Sequence, residues 1–294
     1  MHLNGRFSSE RELREKLDFI YEKSKSGSFF YGILEVASNE VTIITAIHAI
    51  KSNSGANTAG VDRRKMDRYL QMDRNKLISL VQSAFQNYQP KPARRVYIQK
   101  SNGKQRPLGI PTVLDRIVQE CIRIVLEPIL EAQFFAHSYG FRPMRDAAMA
   151  LERVDIIMHN TGNYWIVEGD ISKCFDRIDH SILIKRLYHM GIKDRRVLQI
   201  IKAMLKAGVM EECAVNEEGT PQGGLISPLL ANVYLDIMDD VVLTRENEII
   251  KNKINIINKY IISGFIYDNY VVISSNYLFG KIEEKKKVKN NCRQ

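Results

Sequence analysis

The sequence is poor in cysteine: Cys121, Cys174, Cys213 and Cys292 stand singly among 294 residues, with no Cys-x-x-Cys pair. That spacing excludes the common zinc motifs and gives a disulfide framework little to build on, so a reducing cytoplasm fits. No run of about 18 apolar residues occurs, so no membrane partner is expected. The longest apolar stretch, Tyr260 to Ile273, is broken by Asp268 and Asn269. The opening residues, Met1-His2-Leu3-Asn4-Gly5-Arg6, lack the apolar core of a signal peptide. No internal repeat is present.

Acidic residues are also in deficit, 34 against 43 lysines and arginines, for a formal charge of +9. A basic excess favours a polyanionic partner, nucleic acid or an anionic surface. Hydrophobic residues at 45% and charged residues at 26% are ordinary for a globular chain able to bury a core. The basic run Lys281, Lys285, Lys286, Lys287 and Lys289 reads as a solvated tail.

The first fifty residues read as helices, residues 52–60 (SNSGANTAG) as a small-residue loop, and 67–88 as a helical stretch ended by Pro90 and Pro92. The text RRVYIQ, then Ser101-Asn102-Gly103, then KQRPLGIP predicts a hairpin. Thr112 predicts a helix start, with Asp115 three residues on and Val113, Leu114, Ile117, Val118, Cys121, Ile122 and Val125 on one face. Residues 164–171 read as a buried strand. Residues 194–208 read as a helix with Val197, Leu198, Ile201, Met204 and Leu205 inward and Gly208 as its stop. Ser227-Pro228 predicts another helix start, and residues 265–275 a second hairpin turning near Asp268-Asn269.

Four segments carry chemistry. In YWIVEGDISKCFDRIDH (164–180) an apolar strand delivers Asp170 to its end, where a hard oxygen ligand suits Mg²⁺. The alternative is that Asp170 caps a turn while Asp176 and Asp179 lie on the surface. In GTPQGGLISPLLAN (219–232) paired glycines before a helix start permit close backbone approach to a ligand, and Gln222 offers an amide; the plainer reading is a loop before a capped helix. In the first hairpin Lys100, Lys104 and Arg106 converge, after Arg94 and Arg95, as phosphate clamps or as a solvated basic hairpin. In SYGFRP (138–143) Tyr139 and Arg142 suit stacking on nucleic acid, although such aromatics are as often core.

The order of these segments resembles the reverse transcriptases of group II introns, and GANTAGVD (55–62) resembles their N-terminal extension. The resemblance runs over about residues 40–240. It implies an α/β (α+β) fold with right-hand polymerase fingers and palm, an antiparallel palm sheet backed by helices. It divides the chain into an N-terminal extension and start of fingers (1–90), fingers and palm (91–240), and an eroded end of the palm with a basic tail (241–294). By the same resemblance Asp170 ligates both Mg²⁺ ions of a two-metal site together with Asp268 and the Ile171 backbone, which also touches the incoming nucleotide. Phe175 resembles the steric gate against a ribose 2′-OH, Gln222 and Gly223 line the nucleotide pocket, and Lys100 and Arg106 hold the triphosphate. The implied partners are an RNA template or intron RNA, a DNA primer and dNTPs.

Departures from that pattern begin after Asp240. The family's second acidic motif, Tyr-Ala-Asp-Asp, corresponds to Ile266-Tyr267-Asp268-Asn269, so the second carboxylate is replaced by a neutral amide. Losing one of three carboxylates weakens at least one metal site. The chain also leaves no room for the helical thumb that the resemblance implies. Three readings follow: an RNA-directed DNA polymerase, an RNA-binding maturase-like splicing factor that does not polymerise, or a decayed mobile-element remnant.

Overall fold

The computed structural model describes residues 1–99, 103, 105–161, 165–169, 171, 174–208, 224–237, 265–267 and 270–274. It divides the chain into two units, each assembled from two stretches: Met1–Gln133 with Phe175–Tyr234, and Phe134–Cys174 with Leu235–Gln294.

The first unit is mainly helical. Ser9 accepts the Glu12 amide and starts α1 (Glu10–Lys25), and Asn39 accepts the Val41 amide and starts α3 (Glu40–Lys51), after the short α2 (Ile33–Ala37). The stretch expected as one helix over 67–88 is two, α4 (Met66–Leu70) and α5 (Arg74–Gln86). The break has a local cause: Asp73 turns its side chain onto the Lys76 amide and caps a new helix in place of continuing the old one. Strands β1 (Arg94–Gln99) and β2 (Gln105–Ile110) form the first expected hairpin, with Gln99 opposite Gln105 and Gly103 at φ +77° between them.

Helix α6 (Val113–Glu131) is the core of this unit and packs against α1, α2, α3 and α5. Its Ile117, Val118, Cys121, Ile122, Val125 and Leu126 are fully buried. At roughly 1.5–3 kcal/mol for each large apolar side chain removed from water, this face is the unit's main source of stability. Beyond the second join lie α8 (His180–His189) and α9 (Arg195–Lys206), capped by Asp179 and Asp194. Helix α9 buries the five expected residues and Ile200 as well, and Gly208 follows it at φ +58°. The last helix among the described residues, α10, covers residues 227–237. Its first turn closes with the Leu230 amide on the Ile226 carbonyl, which puts Pro228 at the second helical position.

The second unit holds α7 (Ala147–Thr161) and a sheet in the order β3 (Trp165–Gly169), β5 (Tyr270–Ser274), β4 (Phe265–Tyr267). Strands β4 and β5 form the expected antiparallel hairpin, with Tyr267 opposite Tyr270. Strands β3 and β5 are parallel, Trp165 opposite Tyr270 and Gly169 opposite Ser274. The sheet is therefore mixed, a correction to the expectation of a wholly antiparallel one. A period-two apolar pattern is the same in either sense, and the long connection between β3 and β4 permits the parallel one.

Candidate nucleotide and nucleic-acid site

Around the N-terminus of α6, side chains tie three segments together. Thr112 accepts the Asp115 amide and donates to Asp115 Oδ2 at 2.6 Å. Asp115 also accepts from the Tyr88 hydroxyl at 3.1 Å and the Lys91 amide at 3.4 Å. Burial holds the Asp115 carboxyl above the usual carboxylate range, outweighing those donors. Burial, with Asp115 beside it, pushes the Tyr88 hydroxyl up as well. One turn on, Arg116 donates to the Gly55 carbonyl at 3.0 Å and the Thr58 carbonyl at 2.5 Å. Gly60 of the same loop lies against the Thr112 backbone, where a Cβ would meet the Thr112 Cα at 2.7 Å. The GANTAG loop is thus fastened to α6 by a buried guanidinium and by close packing.

The first hairpin is fastened to that loop from the other side. Arg94 is exposed, and its Nε donates to the Ala59 carbonyl at 3.0 Å. Arg95, next in the strand, is half-buried, and Arg106 pairs with Ile98 across the hairpin. Lys100 and Lys104 lie outside the described residues. Of the residues expected at the nucleotide, Phe175 is half-buried on a short 3-10 turn, Cys174–Arg177, and Ile171 is half-buried; Asp170, Gln222 and Gly223 lie outside the described residues. Asp179 has an architectural role, accepting the Ile182 amide at 2.8 Å. Sequence reasoning passed over Gln119. Its Oε1 accepts the Leu225 amide at 3.0 Å, two residues after Gly223.

In the second unit the SYGFRP segment is a turn braced by two arginines. Arg142 is only 6% exposed; its Nη1 donates to the carbonyls of Phe135 at 2.6 Å and Ser138 at 3.0 Å, and its guanidinium lies 5.4 Å from the Phe134 ring. Arg145 donates to the Ala136 and Ser138 carbonyls and covers the Tyr139 ring at 5.5 Å. The cation beside Tyr139 is therefore Arg145, while the described hydrogen bonds of Arg142 go to the carbonyls of its own turn. Phe141 and Met144 sit at φ +55° and +57°, and both are exposed. Non-glycine residues held left-handed persist only where their surroundings over-determine them, and the arginine–carbonyl bonds do so here. The only sequence sign of Arg145 was a second arginine three residues beyond Arg142.

A family model described as "Reverse transcriptase (RNA-dependent DNA polymerase)" matches residues 98–283. The chain belongs to the reverse transcriptase family. Its similarity to the group II intron-encoded protein LtrA of Lactococcus lactis subsp. cremoris is 44% identity over 201 residues, 67% of this chain and 33% of that protein. With protein YkfC of Escherichia coli K12 it shares 39% identity over 219 residues, covering 70% of this chain and 56% of that one. A chain of the partial Cas6-RT-Cas1--Cas2 complex is similar at 27% identity, with a TM-score of 0.47 over 72% of this chain and 35% of that chain. This reverse transcriptase chain therefore spans a third to just over half of the curated relatives named, and it stands with the group II intron reverse transcriptases and maturases.

Reverse transcriptases depend on divalent metal and act on a template and primer. The donors expected here, Asp170, Asp268 and the Ile171 carbonyl, are hard oxygens and suit such an ion in kind. Asn269 supplies an amide where a third carboxylate is expected. Asp170, Asp268 and Asn269 lie outside the described residues, and among the described residues no group of three or more His, Cys, Asp or Glu side chains could hold a metal. The ladder places Gly169 opposite Ser274, whereas Tyr270 pairs with Trp165.

Proposed function

We propose that this chain is the fingers-and-palm part of a cytoplasmic RNA-directed DNA polymerase of group II intron type, which extends a DNA primer on an RNA template with dNTPs. The observation that carries the reading is the family match over residues 98–283. That span contains the basic hairpin tip, SYGFRP, the strand before Asp170, TPQGG and the hairpin around Asp268 in one order. Asp170, Asp268 and the Ile171 carbonyl would hold Mg²⁺, which when bound supplies charge neutralisation at the attacking and leaving oxygens. Lys100 and Arg106 bind the triphosphate, Gln222 and Gly223 line the pocket, and Phe175 excludes a ribose 2′-OH. Arg94, Arg95, Lys104 and Tyr139 face nucleic acid, and Arg142 and Arg145 keep the turn that presents Tyr139 in shape.

A second reading has one specific observation in its favour. Asn269 removes a carboxylate from the expected metal site, and an RNA-binding, maturase-like splicing role without polymerisation would not need it.

The test is primer extension on an RNA template with Mg²⁺, comparing the unmodified chain with Asp170→Ala and Asn269→Asp. Extension by the unmodified chain that Asp170→Ala abolishes is the expected result. RNA binding without extension, restored by Asn269→Asp, would favour the binding role and assign the loss to that one carboxylate.

A further inference from the structure

Helix α6 carries two buried polar side chains one turn apart, Arg116 and Gln119, and each bonds to the backbone of a segment distant in sequence. Arg116 fastens the GANTAG loop through its carbonyls. Gln119 does the complementary job for an amide: its Oε1 accepts the Leu225 N–H at 3.0 Å, across 106 residues of chain. Leu225 lies at a joint. Upstream are Gln222, Gly223 and Gly224; downstream is Ile226, whose carbonyl accepts the first bond of α10.

Such a joint needs an anchor. Amides before and within the first turn of a helix have no partner inside it, and two adjacent glycines leave the backbone unusually unrestricted. Here the anchor is a side chain only 8% exposed, on the helix that is the core of the unit. We propose that Gln119 is a positioning residue for nucleotide binding, which acts by fixing the backbone at Leu225, just before α10. This rests on the reading of Gln222 and Gly223 as nucleotide-lining residues. Its action runs through Leu225, and Gln119 does not itself touch the substrate.

The test uses the full chain with an RNA template, a DNA primer and Mg²⁺. Two quantities are read in the same samples, the Kd of fluorescently labelled dTTP and the hydrogen-exchange rate of the Leu225 amide. Gln119→Leu removes the acceptor at similar volume, and Gln119→Glu keeps a side-chain acceptor. We expect Gln119→Leu to weaken dTTP binding about tenfold and to speed Leu225 exchange, and Gln119→Glu to stay within about twofold on both, as expected for loss or retention of one buried hydrogen bond. If Gln119→Leu loses its helical circular dichroism, Gln119→Asn replaces it, withdrawing the acceptor by one methylene. Unchanged dTTP affinity in a folded variant with faster Leu225 exchange would overturn the positioning role alone. Unchanged Leu225 exchange would overturn the tether. A chain that binds no dTTP before any substitution would overturn the nucleotide reading, and this inference with it.

Discussion

Helices α6 and α9 belong to the same unit and are both amphipathic, yet they differ in what they bury. Every buried residue of α9 is apolar, and Arg195, Gln199, Lys202 and Lys206 face outward. Helix α6 buries Asp115, Arg116, Gln119 and Glu120 beside its apolar face. A buried polar group costs stability unless it is bonded: Asp115, Arg116 and Gln119 each bond to another segment, while Glu120 pairs with Arg123 of the same helix. A helix like α9 needs only to be covered; one like α6 also records which loops it holds.

Substitutions should separate the two kinds. The largest effect is expected from Ile201→Ala on α9, about 3 kcal/mol from lost transfer energy and a cavity, while Lys202→Ala on the outer face stays within about 0.5 kcal/mol. Urea unfolding measures both, and equal losses would mean that α9 is not packed as described. Arg116→Met should cost about 2 kcal/mol, because charged hydrogen bonds to the Gly55 and Thr58 carbonyls are lost. Its signature is faster amide exchange within residues 52–60 and little change in α9; an unaltered loop would show that the guanidinium is not its anchor.

The smallest and sharpest contrast lies in pH. For Asp194, burial acts against ionisation, but Arg196 and the Leu34 amide outweigh it and hold the carboxyl below its usual range. Its folded pKa is depressed, so its contribution is present above the unfolded value near 3.9 and is lost as pH falls through the folded one. Asp115 has the opposite sign. Burial raises its folded pKa, so ionisation of this group lowers stability as pH climbs from about 3.9 through the folded value. Thermal unfolding across acid pH should therefore show Asp194→Asn costing less as pH falls below about 3.9 and Asp115→Asn costing more as pH falls toward that value. Parallel pH profiles for the two variants would break the contrast.

What could be read from sequence follows the range of the interaction responsible. Helix α9, the Thr112 cap and the hairpin turning at Gly103 depend on residues within a few positions, and each was legible. The split between α4 and α5 was also local but was missed, because apolar spacing hid the Asp73 cap. The sense of β3 against β5 depends on a connection of nearly a hundred residues and leaves no trace in either strand's pattern. Around the candidate site the residue types were visible and their tasks less so. Arg142 reads as a cation for a ligand, and its burial against carbonyls is settled by the fold of its turn. The role of Gln119 depends on Leu225, far along the chain, and no local signal announces it.

The position of α6 also orders events in time. The helices it packs against, α1, α2, α3 and α5, all precede it in the chain. Their shared core can therefore close as soon as α6 has been synthesised, and Arg116 can take hold of a loop already made. The bond from Gln119 to Leu225 spans 106 residues and must wait for chain not yet translated. On a ribosome this helix would serve first as the nucleus of a fold and only later as the mooring for Leu225.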